Sequence, residues 1–171
     1  VLAGSPSYAD LFDDAFGDPA ITPARIAFAL ATYERTLVAD QTPWDTGSLT
    51  ANQISGIQAI FNPCLLACHT TPLFTDNSFR NIGVRPPAED TGRQEVTTLP
   101  SDRGKFKVPT LRNVGLKSFF MHNGRLSTLE DVIDFYQVGN QNSSDNTDPL
   151  VPSVVTASEI PNICLLYTSD A

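Results

Sequence analysis

Cysteine, histidine and methionine are all scarce in this chain of 171 residues, which has three cysteines, two histidines and one methionine. Two of the cysteines stand close together and the third lies near the C-terminus, too few for a disulfide scaffold. No apolar run approaches the length of a bilayer span. Basic residues are also few, 11 lysines and arginines against 19 aspartates and glutamates for a formal charge of −8. Without a basic cluster to neutralise phosphates, nucleic acid is excluded as an expected partner. The chain starts at Val1 with neither an initiating methionine nor the charged and apolar regions of a leader, so a signal peptide is expected to have been removed or not captured.

What is present is ordinary globular material, 41% hydrophobic and 18% charged, enough for one domain with part of a second. The last eight residues, CLLYTSDA over 164–171, read as an adapter-derived cloning or assembly scar, which removes Cys164 from the arithmetic.

The helical signals are local and clear. SYADLFDDAFGD is a short helix ended by Gly17 and Pro19. ITPARIAFALATYERTL places Thr22 as N-cap and Pro23 at the first helical position, with Ile26, Leu30, Tyr33 and Leu37 at helical spacing. ADQTPWDTGS has linker character and suggests a boundary near residues 40–48. LTANQISGIQAIF opens on a Thr50–Gln53 capping box, with Ile54, Ile57, Ile60 and Phe61 as its apolar face. RLSTLEDVIDFYQVG is read with Ser127 and Glu130 as a capping box, Gly139 as its stop, and Leu129, Val132, Ile133 and Tyr136 as its face. VPSVVTASEIPNI reads as the start of a further helix. Between Thr70 and Phe120, repeated Gly and Pro interrupt any periodicity. The expected fold is all-α, with few helices and one long irregular connection, the kind of loop that is organised around something other than protein.

FNPCLLACHTTPLFTD carries the chemistry. A c-type haem is anchored by thioether bonds from two cysteines, and the histidine directly after the second reaches the iron. Cys64, Cys68 and His69 form C-x-x-x-C-H, one residue longer than the usual spacing but with the Cys–His adjacency retained. Two other readings compete. Zinc held by Cys64, Cys68, His69 and His122 is disfavoured because adjacent Cys68 and His69 on one metal would be strained. A free reduced cysteine pair is the other. For the sixth iron position the candidates by residue type are Met121, His122 and Tyr136.

The order and spacing of several stretches resemble the di-haem cytochrome c peroxidase and MauG family over most of residues 8–140. They are YADLFDDAFGDPAITPARIAFALATYERTLV, the haem motif followed by TTPLFTDNSFRNIGV, DTGRQEVT, GKFKVPTLRNVGL, and FFMHNGRLSTLEDVIDFY. The resemblance implies a cytochrome c-like fold with long irregular loops around the haem. It makes residues 1–46 the terminal helices of a preceding haem domain plus linker, and 47–163 a truncated c-type cytochrome domain. It identifies His69 as the proximal ligand and Tyr136, fourteen residues after His122 of MHNG, as the distal one. Methionine holds that position in the peroxidases proper and tyrosine in MauG, so the resemblance tilts toward MauG.

It further implies haem c as cofactor, periplasmic location, hydrogen peroxide as oxidant, and two partners, the N-terminal haem domain and a redox protein. His122 is expected near the distal side, and Arg112 of PTLRNV is a candidate partner for a haem propionate, because a guanidinium binds carboxylate in bidentate fashion. The segment that supplies calcium-binding carbonyls in the family reads KSFF here, Lys117 to Phe120, so calcium is an open expectation. The rival is a monohaem electron carrier.

Overall fold

The computed structural model describes residues 6–37, 39–138, 146–149, 159 and 162. They fall into two compact units, residues 1–40 and 41–171.

The first unit holds two helices. Helix α1, Pro6–Phe16, ends where Gly17 takes φ +81°, a conformation that costs a glycine little. Helix α2, Pro23–Glu34, starts as its sequence predicts, with the Arg25 N–H donating to Thr22 Oγ1 at 3.3 Å and Pro23 in the first turn. Arg25 pairs with Asp18, and the guanidinium holds that carboxyl down at about 2. Leu30, Tyr33 and Leu37 of the expected apolar stripe remain largely exposed, as does Phe28.

The second unit begins with a helix, inside the stretch whose composition has linker character. Helix α3, Pro43–Thr46, is a single turn closed at one end by a Thr42–Asp45 capping box and at the other by left-handed Gly47. Helix α4, Ala51–Ile60, carries the expected Thr50–Gln53 box, in which the Thr50 N–H donates to Gln53 Oε1 at 2.8 Å. Its buried face differs from the expected one. Gln53, Gly56 and Ile60 are inside, whereas Ile54 and Phe61 are exposed, because the reciprocal cap turns Gln53 inward.

The helix then widens into a π-helical turn, Phe61–Leu65. Ile60, Leu65 and Phe74 form the core, with Trp44, Ile57, Leu111 and Ile133 packed against it.

The long connection is not wholly irregular, which modifies the all-α expectation. Strand β1, Phe79–Arg80, pairs antiparallel with β2, Phe106–Lys107, in the register Phe79 to Lys107 and Arg80 to Phe106. A one-turn helix α5, Gln94–Thr97, and two 3₁₀ turns, Pro100–Asp102 and Val114–Leu116, lie along the same stretch. Two-residue strands have no period for a sequence to display, so only their partner could reveal them.

Helix α6, Leu129–Val138, starts one residue later than predicted. Thr128 Oγ1, not Ser127, accepts the Asp131 N–H at 3.0 Å. Gly139, most of the final helical candidate and the octet 164–171 lie outside the described residues.

Candidate functional site

A cavity of about 370 Å³ opens in the second unit between the cysteine motif, strand β2, the 114–121 segment and helix α6. Its wall is overwhelmingly apolar. All four residues of the predicted α6 face, Leu129, Val132, Ile133 and Tyr136, line it, together with Ile82, Val84, Phe106 and Val108.

Cys64, Cys68 and His69 all reach this cavity, and the main chain explains how, despite the surplus residue. The carbonyl of Cys64 accepts two hydrogen bonds, from the Cys68 N–H at 3.1 Å and from the His69 N–H at 2.9 Å. The first spans four residues and is α-helical; the second spans five and is a π turn. In C-x-x-C-H the histidine stands four residues after the first cysteine, one α-helical turn later. Here it stands five residues later, and the wider turn brings it back to the same side. The π-helical segment just before, closed by the Leu66 N–H on the Phe61 carbonyl at 2.9 Å, prepares the same widening.

Both cysteines are free thiols. Burial pushes the Cys64 thiol up to about 11 and raises that of Cys68 as well, with the charge of Arg80 opposing the latter shift. Both are therefore uncharged S–H groups near neutral pH.

His69 is oriented by a backbone partner. Its Nδ1 lies 3.1 Å from the Phe74 carbonyl oxygen, and donating there leaves the lone pair on Nε2. Burial lowers its pKa, with the Phe74 and Pro109 carbonyls opposing, so the ring is neutral at pH 7, as a metal ligand must be. The loop behind it is tied to the motif by the Asp76 N–H on the Cys68 carbonyl at 2.8 Å.

Among the sixth-position candidates, Met121, His122 and Tyr136 all line the cavity. His122 is already engaged. Its Nε2 is 3.2 Å from Asp90 Oδ2, and its ring stacks on Phe106 with centroids 3.6 Å apart and planes at 8°. Tyr136 sits on α6 with its hydroxyl pKa driven upward by burial and then by the two cysteines. It is a neutral phenol that only a strong positive centre would ionise.

Arg112 goes elsewhere. Its guanidinium clamps Asp45 at 2.7 and 2.8 Å and donates to the Pro72 carbonyl at 3.0 and 2.9 Å, and it is not among the cavity-lining residues. Neither Asp45 nor Asp90 was anticipated as a partner. Both contacts join segments far apart in sequence, and no local pattern announces them. The cavity wall also carries Arg80, Lys107, Lys117 and Asp148, which the sequence reading did not single out as site residues.

Among the described residues, no group of three or more His, Cys, Asp and Glu side chains gathers to hold a bare metal ion, and His122 turns to Asp90 rather than to the cysteines. That arrangement does not suit the zinc reading. A large apolar cavity bearing two neutral thiols, a neutral imidazole and a phenol on its wall does suit a covalently anchored macrocycle with an iron centre.

The profile of the family described as di-haem cytochrome c peroxidase matches residues 1–53. The methylamine utilization protein MauG of Methylorubrum extorquens is 37% identical over 150 residues, covering 82% of this chain and 42% of that protein. The cytochrome c551 peroxidase of Nitrosomonas europaea is 33% identical over 144 residues, covering 78% of this chain and 43% of the relative. The chain thus spans less than half the length of these relatives. A crystal structure of a MauG-like protein associated with microbial copper homeostasis superposes with a TM-score of 0.75 at 24% identity, covering 92% of this chain and 59% of that one, a likeness of fold.

Proposed function

The chain belongs to the di-haem cytochrome c peroxidase and MauG family, and from that membership we propose that residues 47–163 are a c-type haem domain that passes electrons within a peroxide-dependent di-haem oxidoreductase. The observation that carries the reading is the convergence of Cys64, Cys68, His69 and Tyr136 on one apolar cavity. Cys64 and Cys68 would anchor the haem through thioether bonds, His69 would be the proximal ligand through Nε2, and Tyr136 the distal one. The haem, when bound, supplies a reversible one-electron centre.

Around it, this chain's own residues exclude water, fix the imidazole tautomer and set the ligand type. A phenolate oxygen favours ferric and higher-valent iron, whereas a thioether favours ferrous iron and raises the potential. Tyr136 as ligand therefore makes a low-potential site suited to sharing oxidising equivalents, as in the MauG branch. Met121 as ligand would make an electron entry port. His122, braced by Asp90 and stacked on Phe106, would act on the distal side as a hydrogen-bonding or electron-transfer group.

On this reading the other partners are an N-terminal haem domain where peroxide reacts, and a redox protein that exchanges electrons. The compartment is the periplasm, and calcium held by carbonyls near Lys117–Phe120 would join the two domains. No helix among the described residues is long and apolar enough to cross a membrane.

A pyridine haemochrome assay on protein matured with the c-haem assembly system tests attachment, and absence of covalent haem would end the reading. Tyr136→Phe should shift the ferric spectrum toward high spin while Met121→Leu leaves it unchanged. The reverse pattern would reassign the ligand. The alternative, a monohaem carrier, is decided by the upstream gene sequence, where a second C-x-x-C-H supports the di-haem enzyme and its absence supports the carrier.

A further inference from the structure

Haem carries two carboxylates, and two lysines line the apolar cavity outside any salt bridge among the described residues. We infer that Lys107 and Lys117 are the counter-ions of the haem propionates, in place of the arginine that the sequence alone suggested. The inference rests on the haem reading above and concerns how this chain holds that group.

Four cations bear on the question. Arg112 does not line the cavity, and its guanidinium is engaged by Asp45 and the Pro72 carbonyl. Arg80 lines the cavity but is neutralised, with Nη1 2.7 Å from Asp148 Oδ2, Nη2 3.4 Å from Asp76 Oδ2 and Nε donating to Ser78 Oγ at 3.0 Å. It also stands close enough to Cys68 for its charge to act on that thiol.

Lys107 and Lys117 remain. Both line the cavity, and neither takes part in a salt bridge among the described residues. Lys107 Nζ donates one hydrogen to the Val108 carbonyl at 3.2 Å and has two more to give. Lys117 follows the Val114–Leu116 turn, whose Val114 is itself on the wall. In a chain with only 11 basic residues against 19 acids, two cations that line an apolar pocket and form no salt bridge among the described residues are complementary to a ligand that brings its own carboxylates. An ammonium near a propionate stabilises its ionised form and opposes the extra positive charge of ferric iron, which raises the reduction potential.

The test uses the haem-loaded chain and reads its midpoint potential across pH by spectroelectrochemistry. Lys107→Gln and Lys117→Gln should each lower the midpoint potential and move its pH dependence upward, because a propionate without its cation holds its proton to higher pH. The double variant should shift further than either single one. Lys117→Arg should stay near wild type, and Lys117→Glu should fall below Lys117→Gln. Lost haem loading in Lys117→Gln that Lys117→Arg restores would also support the assignment; equal loss in both would count against it. Unchanged potential and pH dependence in the double variant would overturn it. A wild-type chain that binds no haem would instead be failure of the haem reading itself, seen in the haemochrome assay before any lysine is changed.

Discussion

The main-chain N–H of His69 donates to the carbonyl oxygen of Cys64 at 2.9 Å, across five residues. This bond absorbs the residue by which the motif exceeds its common spacing. Deleting Ala67 should convert the five-residue turn into a four-residue α turn and keep both thioether bonds. Inserting one alanine after Leu66 separates the two groups by six residues, beyond either turn, and should lose most of the covalent haem. Haemochrome band position, which differs between two thioether bonds and one, reads the outcome. An insertion variant that loads as well as wild type would show that the turn is not what brings the motif together.

Asp45 and Arg112 give the second unit a pH-dependent clamp. Hydrogen bonds from Arg112, then Thr42, hold the Asp45 carboxyl well below the usual carboxylate range. The same group in the unfolded chain titrates near ~3.9. Its folded pKa is depressed, so its contribution to stability is present in full above the unfolded value and is lost as pH falls from there through the lower folded value. Arg112→Gln should lower the urea midpoint at neutral pH, and the gap from wild type should narrow by about pH 3, where the carboxyl is protonated in the unfolded chain. Bonds from Arg112 to the Pro72 carbonyl do not titrate, so part of the gap should persist. A gap that is equal at both pH values would rule out the carboxylate as its source.

Leu65 and Leu66 sit side by side between the cysteines and should behave in opposite ways. Leu65 is 2% exposed and belongs to the core with Ile60 and Phe74, whereas Leu66 is 61% exposed. Leu65→Ala should cost about 2–5 kcal/mol by denaturant unfolding, the range for emptying a packed leucine site. Leu66→Ala should change stability by about 0.5 kcal/mol or less. Equal costs would mean that the turn presents a different face to the core.

These contrasts mark what the sequence could and could not disclose. Thr22, Thr50 with Gln53, and the Leu129–Tyr136 stripe were legible because caps and helical periodicity are written within a few residues. The cysteine motif was legible for the same reason, and its neighbouring stretches pointed to the family. Ser127 in place of Thr128 is an error of one position between two residues able to cap. The antiparallel pair of Phe79–Arg80 with Phe106–Lys107, the destination of Arg112 and the Asp90 partner of His122 were hidden because each depends on a contact between remote segments. Helix α3 was missed for a different reason: PWDT has a capping box but is too short to show a period.

Gly92 links the long connection to the cavity wall through such a contact, and it can be tested against Gly47. Both have positive φ, +56° and +69°, so alanine at either meets the same backbone penalty. At Gly47 a new Cβ would meet nothing within 4 Å. At Gly92 it would lie 2.6 Å from the Lys105 carbonyl oxygen and 3.0 Å from the Phe106 ring. The carbonyl cannot yield cheaply, since it accepts the Arg93 N–H at 2.9 Å and sits beside the β2 strand. Gly47→Ala should therefore cost about 1 kcal/mol, and Gly92→Ala about 2 kcal/mol or more. Phe106 carries His122 stacked at 3.6 Å, so the displacement at Gly92 should also reach the cavity. In the haem-loaded chain, Gly92→Ala should perturb the Soret band while Gly47→Ala leaves it in place. A silent Soret band in Gly92→Ala, with stability lost, would place His122 outside the haem's surroundings.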